Sequence, residues 1–271
     1  HINLWLLRDQ LDGQEGWTII DCGITNDLTK SCWESIFANR LQGLPILRVL
    51  VTHMHPDHIG LAHYLCERWK VGLWISMSDF LMAQWLSSKE GGAAIGFTPG
   101  NGGTADHYAR HGLQHAEDLE RIRSRADYYS RLVPEVPKRY RRIMDGDHIQ
   151  IGERDWVVSM GYGHAPEHAT LYCASLGIFI SGDMVLPRIS TNVSVYDADP
   201  DANPLDLYLR SIDRWRSLPA DTFVLPSHGK PFQGLHERIE QVHEHHRARL
   251  SETVFACQEP RTAYEIIPVL F

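Results

Sequence analysis

Within six residues, His53-Met54-His55-Pro56-Asp57-His58, the chain places three imidazoles and a carboxylate. Neutral imidazole nitrogens and carboxylate oxygens are the donors that zinc and neighbouring first-row divalent ions take. The cluster follows the apolar, β-branched run Leu47-Arg48-Val49-Leu50-Val51 and contains a proline. It therefore reads as the turn at a strand's carboxyl end, with a helix from His58 to Trp69 behind it. On such a turn the donors can converge on one point, whereas an extended strand would send alternate side chains to opposite faces. One histidine there would be read as a surface or capping residue; this density reads as a metal-binding loop.

Three more strand-like segments end on a donor. Trp156–Met160 runs into Gly161-Tyr162-Gly163-His164, Ile178–Ser181 ends on Gly182-Asp183, and Thr222–Leu225 runs into Pro226-Ser227-His228-Gly229. Small flanking residues let the backbone turn sharply and bring a short side chain to a metal. Alone, each would be a polar residue satisfied within the core. With the first cluster they form a set.

The elements that must hold this set follow from the rest of the chain. Ile2–Arg8 and Trp17–Asp21 read as a hairpin joined by residues 9–16. A helix is expected over Leu28–Arg40, a strand over Leu73–Ser76, and a helix starting at Ser78-Asp79 and running to Leu86. Beyond Asp147 strand texture returns, including Thr170–Ala174, with helices over Leu205–Ser217 and Leu235–Glu252. The order is that of an α/β layered domain.

Residues 88–142 differ in character. Glycines crowd 88–104, which reads as a mobile loop, and His107–Leu132 has helical texture. Residues 121–142 carry eight Lys or Arg against Asp127 and Glu135, in a chain of formal net charge −8. That reversal reads first as a solvated face, second as a device that draws an anionic substrate. Tyr128, Tyr129 and Tyr140 read first as packing residues and second as the lining of an acyl or aromatic site. His107, His111 and His115 recur every four residues; they read as exposed histidines of one helical face, with a second metal site as the lesser alternative.

The acidic balance argues against generic nucleic-acid binding. Five scattered cysteines with no C-x-x-C argue against a disulfide framework and favour a reducing, cytoplasmic setting. No apolar run approaches the roughly 20 residues that span a bilayer, and no signal-peptide plan opens the chain. The chain opens with His1 in a strand-like segment and stops at Phe271 in an apolar one, so both ends read as cut from a longer protein.

His53-x-His55-x-Asp57-His58, then Gly163-His164-Ala165-Pro166-Glu167-His168, Ser181-Gly182-Asp183 and Ser227-His228-Gly229, resemble the metallo-β-lactamase-fold hydrolases. The order is that of glyoxalase II and its relatives, over about residues 1–250. The resemblance implies a four-layer αββα sandwich with the site at one edge of two sheets. It implies that His53, His55 and His164 hold one metal, that Asp57, His58 and His228 hold a second, and that Asp183 bridges them, with His168 behind the ligands. The expected domain is 1–258, with 88–142 as a helical lid insertion. Residues 259–271, with Thr262 as an N-cap, would begin a truncated C-terminal appendage resembling a winged helix.

Two divalent ions, zinc before iron or manganese, about 3.5–4 Å apart could share a water, lower its pKa and aim the hydroxide at an electrophile. Asp57 would orient or deprotonate that water. Ser181 and Ser227 read as turn residues rather than nucleophiles. The antibiotic-degrading branch often carries Cys where Asp183 stands and lacks a His after the Asp; the oxygen-reducing diiron branch carries Glu in place of His55. The expected activity is hydrolysis of a small, anionic ester or thioester, a glutathione or coenzyme A conjugate or a lactone among them. A metal-dependent phosphodiesterase or ribonuclease is the alternative, and an iron persulfide dioxygenase a weaker one.

Overall fold

In the computed structural model of the chain, residues 1–88, 102–125, 127–196 and 198–270 are described. Strands β1 (Trp5–Leu11) and β2 (Gln14–Ile20) pair antiparallel around a two-residue turn at Asp12-Gly13. The expected hairpin loop is thus mostly strand, and Asp9 lies inside β1 rather than in a turn. Helix α1 (Asp27–Asn39) starts where the Asn26 side chain accepts the Thr29 N–H at 2.7 Å. The fully buried strand β3 (Ile46–Leu50) leads to the first donor loop. The helix expected from His58 divides at Gly60-Leu61 into α2 (Pro56–Ile59), with Pro56 in its first turn, and α3 (Ala62–Trp69). Strand β4 (Leu73–Ile75) is followed by α4 (Met77–Ser87), capped by Ser76.

Most of the glycine-rich stretch, residues 89–101, lies outside the described residues. Beyond it come α5 (Gly102–Arg110), α6 (Ala116–Arg123) and α7 (Tyr128–Leu132), then β5 (Tyr140–Arg142), β6 (His148–Ile151), β7 (Arg154–Gly161), β8 (His168–Cys173) and β9 (Ile178–Gly182). Helix α8 (Pro204–Arg214), strand β10 (Phe223–Pro226) and helices α9 (Leu235–Ala256) and α10 (Ala263–Leu270) complete the chain.

The strands form two five-stranded sheets, β1-β2-β3-β4-β5 and β10-β9-β8-β7-β6. Beyond the β1–β2 hairpin the first sheet is parallel, and beyond the β9–β10 pair the second is antiparallel. Alternation along each strand splits its side chains between two layers. Ile20 and Leu50 meet Ile149, Trp156, Leu171 and Ile180 between the sheets. Ile19, Val49 and Val51 face the helical layer carrying Trp33, Leu65 and Phe80, while Phe179 and Val224 face Tyr208, Ile212 and Ile239. This is the four-layer αββα sandwich.

One polar tie crosses the apolar interlayer. Arg48 of β3 meets Asp9 of β1 through Nη2–Oδ2 at 2.7 Å, and its Nη2 also donates to the Gln150 carbonyl at 2.6 Å. The Gly152 N–H, from the second sheet, donates to Asp9 Oδ1 at 2.8 Å. Burial pushes the Asp9 carboxyl up, but hydrogen bonds from Thr18, Arg48 and Gly152 and the guanidinium charge outweigh it, and the carboxyl sits below its ordinary range.

The segment 88–142 departs from a simple lid. Tyr129, Val133 and Val136 belong to the helical-layer core, and Tyr140–Arg142 is the edge strand of the first sheet, paired in parallel with β4. Its charged side chains face outward, as edge strands require. Helix α10 begins with a reciprocal cap, the Thr262 N–H donating to Glu265 Oε2 at 2.7 Å. The Tyr264 N–H donates to the His111 carbonyl at 3.1 Å, so the last helix docks on the α5–α6 turn. All five cysteines are free. Among the described residues no helix is long and apolar enough to cross a membrane.

Candidate metal centre

The carboxyl ends of β3, β7, β9 and β10 meet at one edge of the sandwich. The loop after β3 carries His53, His55, Asp57 and His58, and the turn after β7 carries His164. Asp183 follows β9, and His228 follows β10. Every one of the seven donors expected from the sequence is brought to this place.

His53 Nε2, His55 Nδ1 and His164 Nε2 form a triangle with sides of 2.8, 3.1 and 3.2 Å. Donor and acceptor cannot alternate around three atoms, so at least one pair must repel unless a cation lies among them. Nitrogens bound to one tetrahedral ion at 2.0–2.1 Å stand roughly 3.3 Å apart, close to the sides found here. The far nitrogens are anchored: His164 Nδ1 by the Asn192 carbonyl at 2.8 Å and Thr191 Oγ1 at 2.9 Å, His53 Nδ1 by Thr52 Oγ1 at 3.0 Å. Burial and the neighbouring imidazoles hold His53 well below the ordinary histidine range and bring His55 down to about 3. His53 and His55 are therefore neutral donors.

The second group mixes signs. His228 Nε2 lies 3.3 Å from Asp57 Oδ2 and 3.5 Å from Asp183 Oδ1. His58 Nε2 lies 3.5 Å from Asp183 Oδ2 and 3.8 Å from Asp57 Oδ2, while His164 Nε2 lies 3.4 Å from Asp183 Oδ2. His58 Nε2 and Asp183 Oδ1 are buried without a hydrogen-bond partner, an arrangement that costs several kcal/mol for charged groups unless something supplies the missing contact. Burial pushes Asp183 up, but the charge of His58 and the nearby imidazoles of His164 and His228 hold it far below its ordinary value. Burial likewise raises Asp57, yet the bond from His228 and the charge of His58 bring it to about 2. His228 rises to about 9 through Asp183 and Asp57. The donors fall into three overlapping groups with a geometry that fits a metal ion: His53, His55 and His164; His53, His58 and Asp183; Asp57, His58 and His228. Asp183 lies between the first and last.

Asp21 and Asp79, given no site role by the sequence, join Tyr129 and His168 in holding this cluster in place. Asp21 ends β2 with φ +63, accepts the Thr52 N–H at 2.8 Å and pairs with His58 Nδ1 at 2.8 Å. That bond takes up His58 Nδ1 and turns Nε2 toward the cluster. Asp79, in the first turn of α4, accepts the Met54 N–H at 2.9 Å and the Glu167 N–H at 2.8 Å, so one carboxylate grips two donor loops. Tyr129 donates to the Met54 carbonyl at 2.6 Å. His168 stacks on His53 at 4.5 Å and accepts the Asp183 N–H at 3.0 Å, behind the ligands as expected. Gly182, at φ +55, makes room for it: a Cβ there would overlap the imidazole.

Two cavities flank the cluster. One, of about 280 Å³, is reached past His55 and His164. The other, of about 620 Å³, is reached past His228 and includes Arg188 and Lys230. Among the described residues neither is lined by the basic segment 121–142, whose Arg121, Arg123 and Arg131 pair with Asp118, Asp106 and Asp127 and whose Arg141 lies over Trp74. The tyrosines follow their packing reading: Tyr129 is core, Tyr140 stacks on Phe80 at 3.9 Å, and Tyr128 faces solvent. The histidine face dissolves because α5 ends at Arg110; His107 is buried, and His115 caps the next helix. Among the described residues these three form no metal-binding group. Ser181 Oγ donates to the Val185 carbonyl at 2.8 Å, as a turn residue does.

The profile of the metallo-beta-lactamase superfamily matches residues 1–228. The "Probable metallo-hydrolase YqjP" of Bacillus subtilis is 26% identical over 269 residues, 94% of this chain and 77% of that protein. The crystal structure of a beta-lactamase domain protein from Burkholderia ambifaria superposes with a TM-score of 0.92 at 52% identity, covering all of this chain and 75% of that one. A metallo-beta-lactamase family protein from Thermus thermophilus shares the fold, with a TM-score of 0.76 at 24% identity over 99% of this chain and 87% of its own. With the donor cluster at the edge of its two sheets, the chain belongs to the metallo-β-lactamase superfamily as a metal-dependent hydrolase.

Proposed function

We propose that the protein is a dinuclear hydrolase of esters or thioesters. In this reading His53, His55 and His164 hold one divalent ion, Asp57, His58 and His228 hold another, and Asp183 serves both, with zinc before iron or manganese. The observation that carries the reading is the second group, in which His58 Nε2 and Asp183 Oδ1 are buried without a hydrogen-bond partner and His58 Nε2 lies 3.8 Å from the Asp57 carboxylate. A single ion among three imidazoles would leave those atoms unsatisfied.

When bound, such ions lower the pKa of water and polarise an ester carbonyl. The protein's own groups direct the rest. Asp57, ionised and 38% exposed, faces the open side of the cluster, where it can accept the proton of the attacking water. The water oxygen bonds to the carbonyl carbon, the carbon–sulfur or carbon–oxygen bond breaks, and the departing thiolate or alkoxide takes the proton held by Asp57, while the new carboxylic acid loses the water's second proton to solvent. His168 and Asp21 act through Asp183 and His58, as positioning residues.

Metal content of protein purified without chelators or histidine tags tests the reading, with Asp183→Ala as control. Two divalent ions per chain, falling in the variant, together with thiol release from thioesters, support it. One iron per chain with oxygen consumption replaces it with sulfur oxidation chemistry. Cleavage of RNA or bis-p-nitrophenyl phosphate without ester hydrolysis replaces it with phosphodiester chemistry.

A further inference from the structure

The two cavities beside the cluster differ in chemistry. The smaller is walled, among the described residues, mostly by Met54, Met82, Tyr162, Tyr196, Pro204 and Leu207, with His55, His164 and the exposed Asp199 also lining it. Most of its surface is apolar, and among the described residues Leu207 is left nearly half exposed. An apolar side chain left open in a cavity next to reacting atoms favours an apolar substrate group. At about 280 Å³ the cavity suits a chain of butyryl to octanoyl length rather than a long acyl tail.

The larger cavity, on the His228 side, contains Arg188 and Lys230, and neither cation has a hydrogen-bond or ion-pair partner among the described residues. The structure holds them to one groove. Arg238 of α9 donates from Nε to the Leu186 carbonyl at 2.6 Å and from Nη2 to the Ile189 carbonyl at 3.0 Å, fixing the loop on both sides of Arg188. Gly229, at φ +85, lets that loop press on the turn carrying His228, since a Cβ there would come within 2.6 Å of Pro187 Cγ. The neighbouring turn carries Lys230.

Resting on the hydrolase reading, we infer that the substrate is two-sided: an apolar acyl chain enters past His55 and His164, and an anionic thiol or alcohol portion lies along Arg188 and Lys230. The scissile carbonyl then sits over the donors that separate the cavities. This assigns the cations near the chemistry to 188 and 230 rather than to the basic segment 121–142.

The test measures binding of non-hydrolysable thioethers to the zinc-loaded protein by calorimetry. S-alkyl coenzyme A and S-alkyl glutathione are the anionic probes, and S-alkyl pantetheine is the neutral one. From ethyl to octyl the affinity should rise about two- to fourfold per methylene, and Leu207→Trp should bring octyl and ethyl within twofold of each other. Arg188→Glu with Lys230→Glu should weaken at least one anionic probe tenfold or more while moving the neutral probe less than threefold. A flat chain-length series, or a charge reversal that weakens both kinds of probe alike, overturns the two-sided site. Binding that follows the pattern while matching thioesters survive intact overturns the hydrolase reading alone. Thioester hydrolysis indifferent to chain length and charge overturns the two-sided site alone.

Discussion

Asp79→Ala separates holding a metal site from holding a fold. The carboxylate accepts the Met54 and Glu167 N–H groups at 2.9 and 2.8 Å and the Ser76 hydroxyl at 3.0 Å. Removing it orphans two buried backbone donors, at about 1–3 kcal/mol each, hence about 2–6 kcal/mol. Against this stands the strain of the carboxylate itself, because burial, only partly countered by these bonds, raises Asp79 from 3.8 to about 6. That shift is about 3 kcal/mol against the ionised form at neutral pH. The net loss of apo-protein stability at pH 7.5 therefore lies between about −1 and 3 kcal/mol, a melting shift of at most about 10 °C. The two loops nonetheless lose their common anchor, so zinc affinity should fall about 10–100-fold. Competition with a chromophoric chelator and calorimetry of the apo-protein measure the two effects. Zinc affinity within twofold of the parent, whatever the melting shift, would show that Asp79 is an ordinary core group and refute the argument.

Asp21→Asn keeps shape and tolerates the positive φ but turns one acceptor into a donor facing Thr52 N–H or His58 Nδ1; zinc affinity should fall about 10–100-fold by the same competition assay. Gly182→Ala forces a methyl into His168 and an L-residue to φ +55; it should cost about 1–3 kcal/mol, read as a lowered melting temperature by circular dichroism, and an unchanged value would refute it. Arg48→Met strands Asp9 and should cost about 3–5 kcal/mol in urea unfolding, with most of that recovered in the Asp9→Leu/Arg48→Met double variant. Because the folded Asp9 sits below its unfolded value near 4, its stabilisation is complete above that value and fades as pH falls through the folded one. The double variant should therefore lose less stability than the parent below pH 4.

All seven donors can be read from the sequence because each follows the carboxyl end of an apolar strand, four crowded into one loop and three beside small residues, a local signal. The groups that orient them cannot. Ser76-Met77-Ser78-Asp79 reads as a helix start, and Asp79 does receive its N–H cap from Ser76 at 3.3 Å; its grip on Met54 and Glu167 spans 25 and 88 residues, which no local pattern reveals. Asp21 reads as a strand terminator for the same reason. Strand β5 is hidden because an edge strand needs only Tyr140 on its inner face, leaving Arg141 and Arg142 to look like part of a basic run. Asp9 reads as loop because a charge mid-strand contradicts alternation unless a partner such as Arg48, 39 residues away, neutralises it.

The donor loops come from both sheets, while the covalent route from His58 to His164 runs through 105 residues of intervening chain. A bound ion thus works as a rivet across a fault line: sliding one sheet over the other shears the coordination before either half-core is exposed. Loss of catalytic competence should precede global unfolding, and chelation should loosen the seam between the sheets while leaving each β-sheet with its own helical backing intact. Away from the rivet, the bonds from Arg48 to the Gln150 carbonyl and from the Gly152 N–H to Asp9 keep the halves aligned, so the released protein is hinged rather than dismantled, ready to close again on the next ion.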